Sequence, residues 1–577
     1  MTKLTTKIIE RAFDAEIAQK LVAQGLSPIL ARILAARGVA DVALLDPSLA
    51  KLIPPERLTN ATKMASLLAD AIASNQSLLV VGDYDCDGAT ATAVAIRGLK
   101  SMGARVDYLV PNRFEYGYGL TPEIVDLAAQ VKSESRAKPD VLITVDNGIA
   151  SVAGVARANA LGIQVLVTDH HLPGDETPDA TCIVNPNQNG CDFPRKNLAG
   201  AGVIFYVMLA LRAELRSRGA FADKPEPNLT ELLDIVALGT VADLVKLDDN
   251  NRILVQQGLR RIRAGKACPG IRAILKIAGR DERKTTAQDL GFSVGPRLNA
   301  AGRLDDMSLG IACLISGDVA EAEVLAQRLH AMNFERRAIE ADMQEAASIA
   351  LDEIDVSERY SLSIFEPDWH QGVIGILASR VKEQYHRPVI AFACAGDGTL
   401  KGSGRSIAGL HLRDALDLVS KRHPGLIVKF GGHAMAAGLT IAEDNLEPFT
   451  QAFEEIAQRL LNPADLDAVI EVDGVLKAQA MDWDLACSLE KQVWGQGFPA
   501  PMFVGNFEVK QQKIVGEKHL KLSLQGLGGE AERIIDAIYF GCQEFLPERV
   551  QLVYALQTNE FNGRQSLQLN VRHSQAL

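Results

Sequence analysis

The stretch that decides the fold is Ser77-Leu78-Leu79-Val80-Val81-Gly82-Asp83-Tyr84-Asp85-Cys86-Asp87-Gly88. Leu78 to Val81 is a short, unbroken apolar run, the pattern of a buried strand. It stops at Gly82, and carboxylates follow at alternate positions: Asp83, Asp85 and Asp87. Gly88 lets the chain turn into the helix predicted over Ala89 to Leu99. Downstream, Arg105–Val110, Val141–Val145 and Val165–Val167 predict three further strands, each separated from the last by a helical stretch. Strands spaced by helices imply a parallel sheet, and ligands of such sheets lie beyond the carboxyl ends of the strands.

Acidic groups gather where these strands stop. Asp83, Asp85 and Asp87 at one strand end repel one another and raise each other's pKa, a penalty that a bound dication removes. Carboxylate oxygens suit Mg²⁺ or Mn²⁺. An ordinary acidic loop and a weak Ca²⁺ site are the other readings of this segment, although the late glutamate of an EF-hand is missing. Asp146, in Val145-Asp146-Asn147-Gly148, would by itself be a turn residue. Thr168-Asp169-His170-His171-Leu172-Pro173 follows a third strand, and adjacent histidines beside carboxylates form a transition-metal ligand set. Asp243 lies in the apolar run Leu238-Gly239-Thr240-Val241-Ala242-Asp243-Leu244-Val245, where a carboxylate needs a compensating partner.

The rest of the chain divides by pattern. Gly317 to about Ile354 has no proline and no interior glycine after Asp318, so a long helix joining two lobes is predicted. From Tyr360 to Ile441 strands and helices alternate again, with strands expected at Ser361–Phe365, Pro388–Ala393 and Leu426–Phe430. After Asp465 short strands dominate, at Lys510–Val515, His519–Leu524, Val550–Leu556 and Ser566–Val571, as in a small β-barrel. A chain of 577 residues exceeds one hydrophobic core, so several domains are expected. No run of eighteen apolar residues predicts a membrane span, and the opening residues lack an apolar signal core. Eight scattered cysteines without a CxxC pair suggest neither a disulfide framework nor a zinc ribbon, which points to a reduced cytoplasmic setting. The net charge of −12 does not announce a nucleic-acid binder, but a global sum is blind to a local basic groove.

GDYDCDG, VDNG, TDHH and GTVADLV together resemble the DHH phosphoesterase superfamily, named for the triplet seen here as Asp169-His170-His171, and within it the RecJ family. Val184-Asn185-Pro186-Asn187-Gln188 and Lys196-Asn197-Leu198-Ala199-Gly200-Ala201-Gly202 are similar to the same family. Pyrophosphatases and cyclic-dinucleotide phosphodiesterases of the superfamily usually place a histidine four residues before the first ligand aspartate, where this chain has Val81. The resemblance implies an α/β chain: a parallel-sheet DHH domain joined by a long helix to a smaller α/β DHH-associated domain, then a C-terminal OB-like β-barrel. The boundaries expected are 1–75 for an N-terminal helical segment, 76–265 for the DHH domain, 266–352 for the linker with its long helix, 353–460 for the DHH-associated domain and 465–577 for the OB fold.

Residue by residue, the resemblance implies Asp85, Asp87, Asp146, His170 and Asp243 as ligands of two divalent cations, Mn²⁺ or Mg²⁺. Asp83, Asp169 and His171 would act around them, His171 on the transferred phosphoryl. Two cations about 3.5–4 Å apart lower the pKa of a bridging water and stabilise a phosphoryl transition state. The RecJ-like segment Gly295-Pro296-Arg297-Leu298-Asn299-Ala300-Ala301-Gly302-Arg303-Leu304 would bring Arg297, Asn299 and Arg303 to phosphates. Trp369-His370-Gln371-Gly372, Lys401-Gly402-Ser403-Gly404-Arg405-Ser406 and Phe430-Gly431-Gly432-His433 resemble the DHH-associated domain. Their glycine-rich turns would present amides to a phosphate, with Ser403, Arg405, Ser406, Gly432 and His433 on the substrate. Trp494-Gly495-Gln496-Gly497-Phe498-Pro499 and the strands after it resemble the family's OB fold, with Lys510, Lys513, Lys518, Lys521, Phe561 and Arg564 as candidate strand contacts. The activity implied is a 5′→3′ exonuclease that releases mononucleotides from single-stranded DNA in repair and recombination. Single-strand binding protein and a RecQ-type helicase are the protein partners it implies. A DHH phosphodiesterase of short oligoribonucleotides or cyclic dinucleotides, and a non-catalytic DNA-binding scaffold, are the competing readings.

Overall fold

The structure, a computed structural model, describes residues 6–116, 119–130, 138–352, 356–527, 534–561 and 564–577. Two compact units contain them: 10–331 with 472–577, and 332–471 with the residues up to Ile9.

In the first unit a five-stranded parallel sheet holds the centre. Its strands are β1 (Ser77–Gly82), β2 (Arg105–Leu109), β3 (Val141–Val145), β4 (Gln164–Thr168) and β5 (Cys182–Val184), in the order β2-β1-β3-β4-β5. Every residue of β1 and β3 is buried, which is why their sequences are continuous apolar runs rather than alternating ones. Helix α1 (Cys86–Ser101) follows β1 and is buried almost all round, with Asp85 capping it by accepting from the Gly88 amide. Helices α2 (Gly200–Ser217) and α3 (Leu233–Ala242) pack on α1, and both are mostly buried. β1, β3 and β4 are neighbours and end at the same edge, so Asp83, Asp146 and Asp169 start beside one another, as the sheet rule requires.

The segment Gly295-Pro296-Arg297 opens helix α4 (Gly295–Leu304), which is preceded by a π-helical turn over Leu290–Val294. The long helix is α5, Val319–Asp352, and it carries the chain from one unit into the other. Among the described residues no helix is long and apolar enough to cross a membrane, and all eight cysteines are free thiols.

The second unit has a mixed five-stranded sheet: β6 (Leu362–Phe365), β7 (Val389–Cys394), β8 (Thr399–Arg405), β9 (Lys429–Gly432) and β10 (Ala436–Ala442), in the order β9-β10-β8-β7-β6. Only β6 and β7 run parallel. Two expectations are corrected here. Lys401–Arg405 is not a turn at a strand end but lies within the central strand β8, because Gly402 and Gly404 occupy its core-facing positions. A Cβ on Gly402 would press on Leu439 and Phe392. The strand expected at Leu426–Phe430 begins only at Lys429; Leu426 and Ile427 are buried in the core from the preceding loop.

The carboxyl-terminal strands close a barrel: β11 (Phe503–Val515), β12 (His519–Gly526), β13 (Ile534–Phe540), β14 (Arg549–Phe561) and β15 (Arg564–Ala576), ordered β11-β12-β13-β15-β14. β13 and β15 pair in parallel, while the other pairs are antiparallel. This five-stranded closed arrangement is that of an OB fold. β13 has no counterpart among the expected strands, and β11 starts seven residues before the strand expected at Lys510. Phe503, Phe507 and Tyr554 fill the barrel core.

The barrel is fastened to the rest of its unit. The turn Trp494–Phe498 receives the Leu247 amide on Gln496 O at 2.8 Å, and Arg252 lies 4.3 Å over the Phe498 ring. From the amino-terminal helices, Arg37 makes paired hydrogen bonds to Asp473 at 2.6 and 2.9 Å and another to Pro499 O at 2.7 Å. It also stands 5.3 Å over Trp494. The first seventy residues, which carried no readable chemistry, thus supply the cation that neutralises a carboxylate at the barrel's base.

Candidate metal centre

The four acidic segments converge. His170 Nε2 lies 3.1 Å from Asp146 Oδ1, 3.6 Å from Asp243 Oδ2 and 4.0 Å from Asp87 Oδ2. Three overlapping groups, Asp83/Asp85/Asp146, Asp87/His170/Asp243 and Asp146/His170/His171, each bring their candidate ligand atoms within 4.8 Å of one another. All five positions expected to bind cations belong to these groups, and Asp83, expected around them, joins Asp85 and Asp146.

Each side chain is held by a local device. Asp87 accepts from the amides of Gly200 at 2.6 Å and Ala201 at 3.0 Å, the first turn of α2, where the helix dipole favours an anion. Gly200 is needed there: a Cβ would lie 2.6 Å from Asp146 Cβ. Asp146 itself adopts φ 62°, a left-handed conformation that aspartate tolerates better than most residues. Beside it, Asn147 donates to the carbonyls of Val81 and Val145 and ties the ends of β1 and β3 together. Asp169 accepts from the amides of Ile149, His170 and His171, and its Oδ1 meets His171 Nδ1 at 2.8 Å. Asn185 and Asn187 donate to the carbonyls of His171 and His170, which accounts for the VNPNQ segment. Asp243 caps the carboxyl end of α3, where the dipole disfavours an anion.

Electrostatics make this an unstable set of anions without a counter-charge. Burial, then Asp243 and Asp85, push the Asp87 carboxyl well above the usual carboxylate range. Burial, followed by Asp87 and Asp85, does the same to Asp146, and burial together with Asp85 raises Asp243. Burial lowers His170, keeping its imidazole neutral and suited to ligation. His171 behaves oppositely: burial pulls it down, but the hydrogen bond and charge of Asp169 outweigh that and raise it to about 9. Asp146 Oδ1 and His170 Nε2 are buried, and despite their proximity neither makes a hydrogen bond. Orphaned buried acceptors among mutually repelling carboxylates are what divalent cations satisfy, so the donor set fits the metal pair.

The remaining expected positions divide. Asn299 Oδ1 accepts the Cys86 amide at 2.8 Å, so it holds the acidic loop's backbone rather than reaching out from it. Gly302 presses on the same loop, where a Cβ would collide with the Tyr84 carbonyl oxygen. Arg297 donates to Ser293 O at 2.6 Å and to His330 Nδ1 at 3.2 Å; Arg303 is half-buried on the same helix. In the second unit, Arg405 donates to Gly404 O at 2.8 Å and to Ser403 Oγ at 3.3 Å. Gly432 has φ 144°, and the His433 amide donates to Ala436 O, closing the turn between β9 and β10. Ser406 is buried, and its hydroxyl is spent on Leu410 O at 2.8 Å. On the barrel, Lys510 pairs with Glu508 and Lys521 with Asp536, and Lys513 and Lys518 are exposed. The side chains of Phe561 and Arg564 lie outside the described residues.

The Gly302 contact sets an expected result. Gly302→Ala improves helix propensity but forces the Tyr84 backbone carbonyl aside, so the hydrolysis that the sequence motifs imply should fall by at least about tenfold, or ~1.4 kcal/mol of barrier, and the melting temperature should fall with it. A wild-type rate in a steady-state assay would show that the loop does not need this buttress.

Comparison with known proteins agrees with the geometry. Residues 77–240 match the DHH family, N-terminal domain; 357–459 match the DHHA1 domain; 472–573 match the RecJ OB domain. The chain is 51% identical over 568 residues to the single-stranded-DNA-specific exonuclease RecJ of Dickeya dadantii (strain 3937), a match spanning 96% of this chain and 97% of that one. It is 50% identical over 556 residues to the protein of the same name from Escherichia coli (strain K12), spanning 94% and 95%. The crystal structure of RecJ in complex with Mn²⁺ from Thermus thermophilus is similar, with a TM-score of 0.81 at 28% identity, over 100% of this chain and 80% of that one. With the barrel, the parallel sheet and the acid–histidine cluster all in family order, the chain belongs to the RecJ family of DHH proteins.

Proposed function

We propose that this chain is a metal-dependent exonuclease that degrades single-stranded DNA from the 5′ end and releases mononucleotides. The observation that carries it is the convergence of Asp85, Asp87, Asp146, His170 and Asp243, with two buried ligand atoms left without hydrogen bonds. Those five residues would hold two divalent cations, Mn²⁺ or Mg²⁺; the related RecJ of Thermus thermophilus has been crystallised in complex with each of these metals. When bound, such a pair supplies an activated water and neutralises charge at phosphorus.

The chain's own residues supply the order. The amides of Gly200, Ala201 and Gly88 fix Asp87 and Asp85 before substrate arrives, so little reorganisation accompanies the reaction. Asp169 takes up His171 Nδ1 and thereby orients the ring, which is assigned to the charge developing on the transferred phosphoryl. Asp169 is therefore a positioning residue, and Asn299 positions the acidic loop. Arg297, Arg303, Ser403, Arg405, Gly432 and His433 are assigned to the strand's phosphates; Ser406, with its hydroxyl inside the fold, supports the turn that follows β8. Of the five expected parts, the DHH, DHH-associated and OB domains are supported by the family matches. Single-stranded DNA is the partner the OB barrel favours. Single-strand binding protein, a RecQ-type helicase and a cytoplasmic location complete the reading, the free cysteines fitting a reducing compartment.

The test is digestion of single strands labelled at the 5′ or the 3′ end, with Mn²⁺ and with chelator. The expected result is immediate release of the 5′ label as mononucleotide, stepwise shortening of the 3′-labelled strand, and silence under chelation. Shortening from the 3′ end, or turnover of dinucleotides as fast as of long strands, would overturn the assignment.

A further inference from the structure

Three large apolar side chains stand in solvent beside the metal centre. Phe292 is 77% exposed, Leu244 67% and Leu172 62%. Leu172 follows His171 in the chain, and Leu244 follows Asp243. Phe292 belongs to the π-helical turn; its Gly291 and the first residue of α4, Gly295, approach Val241 and Ala242, the last residues before Asp243: a Cβ on them would lie 3.2 and 3.4 Å from those side chains. Because His170 and Asp243 are themselves neighbours, the backbone segments that carry Leu172, Leu244 and Phe292 come together around the candidate site.

Their backbones are unusual. Leu244 is held at φ 63°, a conformation that a side chain like leucine seldom adopts and that strains the chain. Phe292 rides on a π-helical turn, a rare form found mostly at functional sites. Folding gains nothing from strain or an irregular turn that turns apolar groups out to water. A ligand that covers them does. The ligand that reaches this rim while its phosphate sits among Asp87, Asp146 and His170 has a flat apolar face one sugar away from that phosphate, which describes a nucleobase. Stacking suits an enzyme that must accept every base, since each has a π-face.

We infer that Phe292, with Leu244 and Leu172, forms a seat on which bases of the strand being cut stack, and that it acts on base presence rather than base identity. The inference rests on the exonuclease reading above. Phe292→Ala should raise KM for a single-stranded oligonucleotide by about 5- to 150-fold, the range that one stacked base spans. On the same oligonucleotide with abasic terminal nucleotides, variant and wild type should agree within about twofold. Leu244→Gly should raise KM likewise while leaving the melting temperature equal or higher, since glycine accepts positive φ. The metal-induced rise in melting temperature should match wild type in both variants. An unchanged KM in both, or an equal loss on ordinary and abasic strands, would overturn the seat and leave the exonuclease reading standing. A wild-type protein that cuts no strand would end both.

Discussion

Asp146→Asn should reduce metal-dependent hydrolysis by at least about a thousandfold, roughly 4 kcal/mol of barrier. In the same variant the melting temperature of the metal-free protein should rise by a few degrees. The two effects share a cause. Asp146 is buried among Asp83, Asp85, Asp87 and Asp243, its carboxyl is driven upward by burial and by those charges, and its Oδ1 has no hydrogen-bond partner. Asparagine keeps the shape and tolerates φ 62°, but it removes one of the mutually repelling charges and one anionic oxygen for the cations. Stabilisation by added Mn²⁺ should shrink accordingly, because binding energy to the folded state is stability. Thermal melts with and without Mn²⁺, beside a strand-digestion assay, read all three quantities. Hydrolysis within about tenfold of wild type would remove Asp146 from the centre. A metal-free protein less stable than wild type would mean that repulsion is not what raises the carboxyl.

Arg37→Ala should be the most destabilising substitution remote from the metal centre, at about 3–5 kcal/mol, because it leaves a buried carboxylate without its counter-ion. The Arg37 and Asp473 side chains are 1% and 4% exposed, and the guanidinium also bonds the carbonyls of Ile33 and Pro499. Arg37→Lys should recover only part of this, since an ammonium cannot make the paired contact or lie flat on Trp494. Urea unfolding followed by tryptophan fluorescence measures it. A loss below about 1 kcal/mol would place the pair with surface ion pairs instead.

Much of the sheet and of the metal centre was legible because both leave strong local marks. Strands buried on both faces are continuous apolar runs, as at Leu78–Val81 and Val141–Val145, and acids cannot gather at their ends without a counter-charge. The interactions that stayed hidden connect residues far apart. Nothing near Asp87 announces that the amides of Gly200 and Ala201 hold it, and nothing near Arg37 announces Asp473. Glycine misled in a different way. In β8, Gly402 and Gly404 take the core-facing positions, so the alternation that marks a strand is erased and only a turn-like composition is left. Asn299 shows the same limit: its amide oxygen faces the Cys86 amide, and side-chain direction within α4 is set by packing that spacing does not encode.

The turn at Trp494–Phe498 bears on how modular this architecture is. Gln496 receives the amide of Leu247, four residues after Asp243, so the barrel is stitched close to the candidate metal centre. Excising residues 472–577 would strip cover from Leu247 and Arg252 and leave Arg37 without its anion. The barrel is thus less an appendage than part of the chassis, and a foreign barrel would have to meet Arg37, Leu247 and Arg252 at once.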